Sequence, residues 1–298
     1  MLRRGGYGGG YGGGGGYGRR TTRGSGMKLR LLIAGGIVLF SLFSYLRTGD
    51  VNPITGKTQR VAMDPTEEIR LGLASVDRMA AQHGGAHPNQ QYQQVVDQIG
   101  LRLVNALDQR IAREPNRTNP YQYEFHLLQD PNAVNAFALP GGQIFITYNL
   151  FERIYRFDKA TEYGKAEDRL AGVLGHEVGH VIARHGAQRM AKQKLTQGLI
   201  GAASVGGGGY NSGRMAAMVG KMVNMKYGRG DELEADQWGI ALSREAGFDP
   251  RAMLDVMEIL EESAPGGGPP EMMSTHPKPK NRKAYITKIL NDANIQVQ

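Results

Sequence analysis

The residues best suited to chemistry stand in the order His176-Glu177-Val178-Gly179-His180. On a helix, positions i and i+4 are neighbours on one face, so both imidazoles can address a single ion. Glu177, next to the first of them, is placed to reach a water on that ion. Two histidine ligands and a glutamate general base are what zinc-dependent hydrolysis of a peptide bond requires. Leu170, Val173, Leu174 and Ile182 make the flanks apolar. Polar side chains in a core helix need a reason to be there, and two solvated histidines would fit these flanks poorly.

Such a site takes a third protein ligand and keeps one position open. His185 follows His176 by nine residues, which is about 180° round a continuous helix. It is therefore expected to support or pack beside the site rather than to ligate. The acidic run Asp231-Glu232-Leu233-Glu234-Ala235-Asp236 is a better source. Glu232 and Asp236 share a helix face, and Glu234 points away from it. One of the pair can bind metal while the other orients a histidine. An acidic helix start also stabilises its own dipole, so spacing alone leaves both readings open.

Around these residues the pattern is mainly helical. Helical spacing runs over 67–82 and 92–112, then about 167–194, 214–226, 231–246, 250–262 and 280–290. Tyr123–Leu128 and Gln143–Thr147 read as strands, the second entered through the turn Pro140-Gly141-Gly142. Residues 48–66 are turn-rich, and Gly206–Gly209 and Pro265–Pro270 read as loops. Helices with a small early sheet make an α+β domain over 48–298. Met215, Met218, Met222 and Met225 share a helix face and are expected to pack in a core. His83, His87 and His126 lack partner spacing and read as structural or solvated.

The first 28 residues form a glycine-, tyrosine- and arginine-rich tail that cannot bury enough apolar area to order itself. A tail of this kind suits RNA binding or self-association, although a solvated tail is the plainer reading. The net charge of +8 belongs to it. Seven basic residues and no acid fall in 1–30, leaving +1 for the rest. A folded nucleic-acid-binding face is therefore not expected. The absence of cysteine excludes disulfides, thiolate metal sites and cysteine nucleophiles. Residues 29–47 are apolar with arginines at the ends, as expected of a single membrane span, and no small-x-small cleavage site follows. The basic tail should stay in the cytoplasm, with the body on the outer, periplasmic side of the inner membrane.

Over about residues 50–290 the chain resembles peptidase family M48, the membrane-associated gluzincins that include HtpX and the CAAX prenyl proteases. The resemblance rests on His176–His180 followed by Glu232-x-x-Ala235-Asp236, and on Asn135-Ala136-Phe137-Ala138-Leu139-Pro140-Gly141-Gly142. It continues in Tyr227-Gly228-Arg229 (Gly replacing the usual Ser), in Ser274-Thr275-His276-Pro277 with Arg282, and in Asn52-Pro53-Ile54-Thr55-Gly56 with Glu67–Gly72. A single hydrophobic span points to the soluble-domain branch, because Leu195–Val205 is too short and too glycine-rich to cross a bilayer.

The resemblance implies a zincin-like fold holding one Zn2+ per chain. His176, His180 and Glu232 would be the ligands, Asp236 and His185 would lie behind them, and Glu177 would be the general base. It also brings His276 into the active site, either as the oxyanion donor or closing on the zinc when no substrate is bound. Gln143, Ile144, Phe145, Ile146 and Thr147 would form an edge strand along which an extended substrate pairs. The implied activity is cleavage of unfolded or damaged proteins in membrane-associated quality control. The rival readings are a catalytically silent relative that holds unfolded chains, and an RNA or assembly role for the tail.

Overall fold

The computed structural model describes residues 23–157, 164–207, 227–263, 272, 276 and 282–292. Most of the expected tail, the methionine face at 215–225 and the loop at 265–270 lie outside the described residues.

The organising element is helix α6 (Ala166–Ile182), in which every residue from Arg169 to Ile182 is buried. Its apolar positions run all round the helix, so it needs neighbours on every side. Helix α8 (Arg229–Glu245) crosses it at backbone distance. A Cβ at Gly179 would fall 2.8 Å from the Ala235 carbonyl oxygen, and one at Gly175 would fall 3.1 Å from the Cα of Gly239. Only glycine on α6 permits this approach, which sets Glu232 and Asp236 against the face that carries His176 and His180. On another side Arg169 pairs with Asp255 of α9 (Ala252–Glu262) at 2.8 Å, both buried.

A three-stranded sheet covers a further side. Its order is β3 (Glu124–Leu128), β5 (Gln143–Thr147), β4 (Ala136–Ala138), with β3 parallel and β4 antiparallel to β5. The expected edge strand 143–147 is therefore the central one, paired on both sides and buried throughout. Gln143, Ile144, Phe145, Ile146 and Thr147 have no free backbone edge to offer a substrate. The outer strands are β3 and the three-residue β4, the second of which was not expected. Gly141 and Gly142, with φ of 88° and 109°, make the turn between β4 and β5. A side chain at either would meet backbone, of Ile69 and Gln122 respectively. Helix α4 (Gln90–Ile111) packs on β3, where Gly100 meets the Phe125 ring and Gln93 bonds the strand backbone, and it buries Val96, Ile99, Leu103 and Leu107 in the core.

Further elements refine the sequence pattern. Residues 67–82 form two helices, α2 (Pro65–Leu73) and α3 (Val76–Gln82). The turn-rich stretch after residue 48 contains a hairpin of β1 (Gly49–Val51) and β2 (Thr58–Arg60). An unexpected helix, α5 (Tyr148–Arg156), follows β5 and buries Leu150, Phe151 and Ile154. The partnerless histidines are structural: His83 bonds Asp130 at 3.0 Å, His87 stacks on Tyr148, and His126 bonds Gln143 at 2.8 Å.

The long helix expected over 167–194 breaks after Ile182. Arg184 adopts φ 54°, in the left-handed region, and α7 (His185–Gly207) starts in a new direction. For a residue with a side chain that conformation costs on the order of 1 kcal/mol or more. The buried Arg184 guanidinium offsets it by pairing with Glu68 at 2.8 Å and Asp50 at 2.6 Å and by donating to the Met63 carbonyl. The carbonyls left open at the end of α6 find partners as well. Asn52 donates to Ile182 O and Gln59 to Ala183 O, satisfying groups a helix end otherwise leaves bare.

Helix α1 (Arg23–Arg47) lies apart from this core and exposes Leu32, Leu39 and Phe40. Within Gly26–Arg47 an 18-residue window reaches a mean hydropathy of 2.0, and the helix is long and apolar enough to cross a membrane. Helix α7 runs beside it and continues to Gly207, through the first half of the expected glycine loop. Helix α10 (Arg282–Asp292) closes the described chain.

Candidate metal centre

The crossing of α6 and α8 brings together a cluster of buried polar side chains. His176 Nε2 and His180 Nε2 lie 3.1 Å apart. Glu232 faces both, with a carboxylate oxygen 3.7 Å from His176 Nε2 and another 3.6 Å from His180 Nε2. His276 completes the group, its Nδ1 3.1 Å from Glu232 Oε1 and 3.4 Å from His176 Nε2. One donor atom from each of the four residues lies within 4.8 Å of the others, and all four residues are buried. His276 thus stands among the donors, not on a rim above them.

The donor set suits a divalent metal. Imidazole nitrogens packed this closely would need protons directed between them, and burial disfavours charging both rings. The His180 pKa is held well below the ordinary value by burial and then by His176, His185, His276 and Arg189. A neutral imidazole with a lone pair in the cluster is the form a metal ligand takes. His276 Nε2 and both oxygens of Glu177 are buried without a hydrogen-bond partner, and Glu232 Oε2 has only an ion-pair contact with Arg282 at 3.2 Å. Uncompensated acceptors are rare in folded interiors and mark an absent ion or a catalytic role. Four convergent N and O donors match the ligand types and number of a tetrahedral metal site.

The residues behind the cluster set its tautomers. Asp236 Oδ1 lies 2.9 Å from His176 Nδ1, so the ring's proton belongs on that nitrogen and Nε2 faces the cluster. Arg282 grips Asp236 through Nε to Oδ2 at 2.8 Å and a terminal nitrogen to Oδ1 at 2.7 Å. Its other terminal nitrogen is 3.2 Å from Glu232 Oε2. Burial pushes the Asp236 pKa up, but Arg282 and the His176 hydrogen bond outweigh it and hold the group at about 2. On the opposite side His180 Nδ1 lies 2.9 Å from His185 Nδ1. The Tyr227 ring stacks on His180 with centroids 3.9 Å apart, and Arg189 lies over that ring.

His185 reaches His180 only because the helix breaks. The angle of about 180° from His176 assumed a continuous helix, whereas the left-handed Arg184 returns the chain to His180. Glu234, expected to point away, faces His185 at 3.5 Å and Lys57 at 2.6 Å. Its pKa falls to about 2, chiefly through His185.

Glu177 lies beside the donors, Oε1 3.7 Å from His276 Nε2. Three residues of the site had no role assigned from sequence: Arg282, Tyr227 and Arg189. The signal for Arg282 was present, since two carboxylates sharing one helix face and meant for burial need a cation.

Comparison with known proteins gives the arrangement a family. The model of "Peptidase family M48" matches residues 97–290. The "Beta-barrel assembly-enhancing protease" of Escherichia coli (strain K12) is 27% identical over 252 residues, covering 81% of this chain and 47% of that protein. The "Mitochondrial metalloendopeptidase OMA1" of Schizosaccharomyces pombe is 29% identical over 276 residues, covering 89% of this chain and 72% of that protein. The Saccharomyces cerevisiae protein of the same name is 27% identical over 281 residues, covering 91% and 76%. The chain spans about half the length of the bacterial relatives it matches. With the family model covering well over half of its residues, the chain belongs to peptidase family M48, a family of metal-dependent peptidases.

Proposed function

We propose that this chain is a zinc metalloendopeptidase anchored by α1, with residues 48–298 as its peptidase domain. The observation that carries the reading is the convergence of His176, His180 and Glu232 beside the unpaired, buried carboxylate of Glu177. Two imidazoles and a carboxylate suit zinc. When bound, such an ion supplies Lewis-acid polarisation of the scissile carbonyl and a water that ionises near neutral pH.

The chain's own residues do the rest. Asp236 keeps the His176 proton on Nδ1, and Arg282 keeps Asp236 ionised. Glu177 takes a proton from the attacking water and returns it to the leaving nitrogen. His276 has its Nδ1 3.1 Å from Glu232, in space a substrate carbonyl needs. It turns aside for substrate, and its N–H is then available to the developing oxyanion.

Substrate backbone pairs with β4. By the register of β4 with β5, the half-buried Ala138 directs its backbone groups away from β5. Ala138 and Pro140 line a narrow crevice with His180, Arg184 and Tyr227. Pairing of this kind reads backbone rather than sequence, which suits unfolded or damaged protein substrates. The relatives' names, one of barrel assembly and one of a mitochondrial endopeptidase, support quality control of envelope or membrane proteins. The apolar α1 after a basic tail supports a single span in the inner membrane, with the peptidase domain on the periplasmic side.

The test is cleavage of an unfolded model protein by the parent and by Glu177→Gln, each loaded with zinc. The parent should cleave. The variant should bind zinc equally and lose activity by about a thousandfold or more. Equal activity in the two would remove Glu177 from the chemistry.

A further inference from the structure

The mechanism makes no use of the second half of α7. The helix divides sharply in composition. His185–Lys194 carries Arg189, Lys192 and Lys194, whereas Leu195–Gly207 carries no charge, and no acid occurs anywhere in α7. Leu199 is 39% exposed and Ile200 54%. Two neighbouring large apolar side chains in contact with water are costly unless something covers them.

The neighbouring elements identify the cover. Ala62 at the end of the β-hairpin donates to Ala187 O and accepts from Lys194 Nζ, while Val61 donates to Thr48 O. The first half of α7 therefore lies level with the C-terminal end of α1. Further along, Gly198 packs against Ser41 so closely that a Cβ there would collide with the serine hydroxyl. The two helices are antiparallel, and α7 runs back along the apolar stretch of α1. Close contact through small residues is how helices associate in lipid, where burial of apolar surface supplies no drive. Leu199 and Ile200 then continue the apolar surface that α1 exposes through Leu39 and Phe40, which are 69% and 71% exposed.

Basic and aromatic groups mark a common border. Arg47 lies over the Phe43 ring, Arg60 lies over Tyr45 and donates to the Leu46 carbonyl, and Lys192 and Lys194 sit at the same end of α7. Basic side chains with a tyrosine are typical of the headgroup level of a bilayer.

We infer that α7 from Leu195 onward is embedded in the lipid leaflet next to the folded domain, packed against α1, so that the cover of Leu199 and Ile200 is the bilayer. The inference rests on the reading of α1 as a membrane span. The segment enters the membrane without crossing it, since Leu195–Gly207 is about 20 Å long against a hydrocarbon core of about 30 Å. One consequence concerns the metal centre. His185, which begins α7, touches His180. The ten residues to Leu195 hold the metal centre roughly 15 Å from the lipid. A helix seated in the membrane thereby sets the height at which peptide bonds are cut.

The chain has no cysteine, so single nitroxide labels can be placed without background. Leu199→Cys, Ile200→Cys, Leu39→Cys on α1 and Lys192→Cys are labelled in the full chain and reconstituted in phosphatidylcholine/phosphatidylglycerol vesicles. Collision with dissolved oxygen and with a water-soluble nickel chelate is then measured by electron paramagnetic resonance. The expected result is that 199 and 200 behave as 39 does, with strong oxygen relaxation and several-fold weaker chelate relaxation than at 192. Chelate access at 199 and 200 equal to that at 192, with 39 still shielded, would overturn the inference and leave the anchor standing. Poor access of both agents at 199 and 200 would mean cover by protein, such as a second copy, and would also overturn it. Chelate access at 39 would defeat the anchor reading and the inference with it.

Discussion

The two histidines of the helical pair are held in opposite ways. Behind His176 stands a charged relay, in which Asp236 bonds its Nδ1 at 2.9 Å and Arg282 grips Asp236 with two hydrogen bonds. Behind His180 stands another imidazole, His185, with the Tyr227 ring stacked on the side. His176 is oriented by buried full charges, His180 mainly by a ring contact and stacking. Charged partners give a strongly fixed tautomer and fail badly when one member is removed. The partners on the His180 side, a ring contact backed by the part-exposed Glu234, orient more weakly, and their loss leaves no fully buried charge behind.

The largest expected effect comes from removing the cation of the relay. Arg282→Leu leaves Asp236 and Glu232 buried without their counter-charge. It should cost about 3–5 kcal/mol of stability, read by urea denaturation of the metal-free protein. A loss under about 1 kcal/mol would mean that Arg282 lies at a solvated surface.

A matched pair of variants then sharpens the contrast. Asp236→Asn should weaken zinc binding by about 10- to 100-fold, measured by competition with a chromophoric chelator. His185→Gln, on the His180 side, should weaken it by about tenfold or less. Equal losses would mean that charge behind the ligand is not what distinguishes the two sides.

The smallest effect lies away from the metal, at the approach to β4. Asp130 accepts hydrogen bonds from the backbone of Asn132 and Ala133 and pairs with His83. Partial burial pushes its pKa up, and these bonds more than compensate, so the folded value lies below the ordinary 3.8. A depressed carboxylate contributes stability that is present above the unfolded pKa and is lost as pH falls through the folded one. Asp130→Ala should therefore cost about 1 kcal/mol at neutral pH and nothing once the solution is well below pH 3.8. Denaturant midpoints of parent and variant across that range check it.

The sequence makes one side of the site legible and hides most of the other. His176, Glu177 and His180 stand out because the i,i+4 pattern and its apolar flanks are local. Glu232 was fixed only by resemblance, since its approach depends on Gly175 and Gly179 meeting Ala235 and Gly239 across two helices. The break at Arg184 is stabilised by Glu68 and Asp50, more than a hundred residues away, and no local pattern records that. His185 was expected to support the site, and it does lie against His180, but by way of this break rather than along a continuous helix. Residues 143–147 were recognised as a strand but not as the central one, because strand order is set by which partners arrive. One of its two partners, β4, is only three residues long.

The central claim is that His176, His180 and Glu232 hold one metal ion together. Elemental analysis of the purified full chain after zinc loading and dialysis tests it most directly, with Glu232→Ala and Glu177→Gln alongside. The account predicts about one zinc per chain in the parent and in Glu177→Gln, and little in Glu232→Ala. Full zinc content in Glu232→Ala would contradict it.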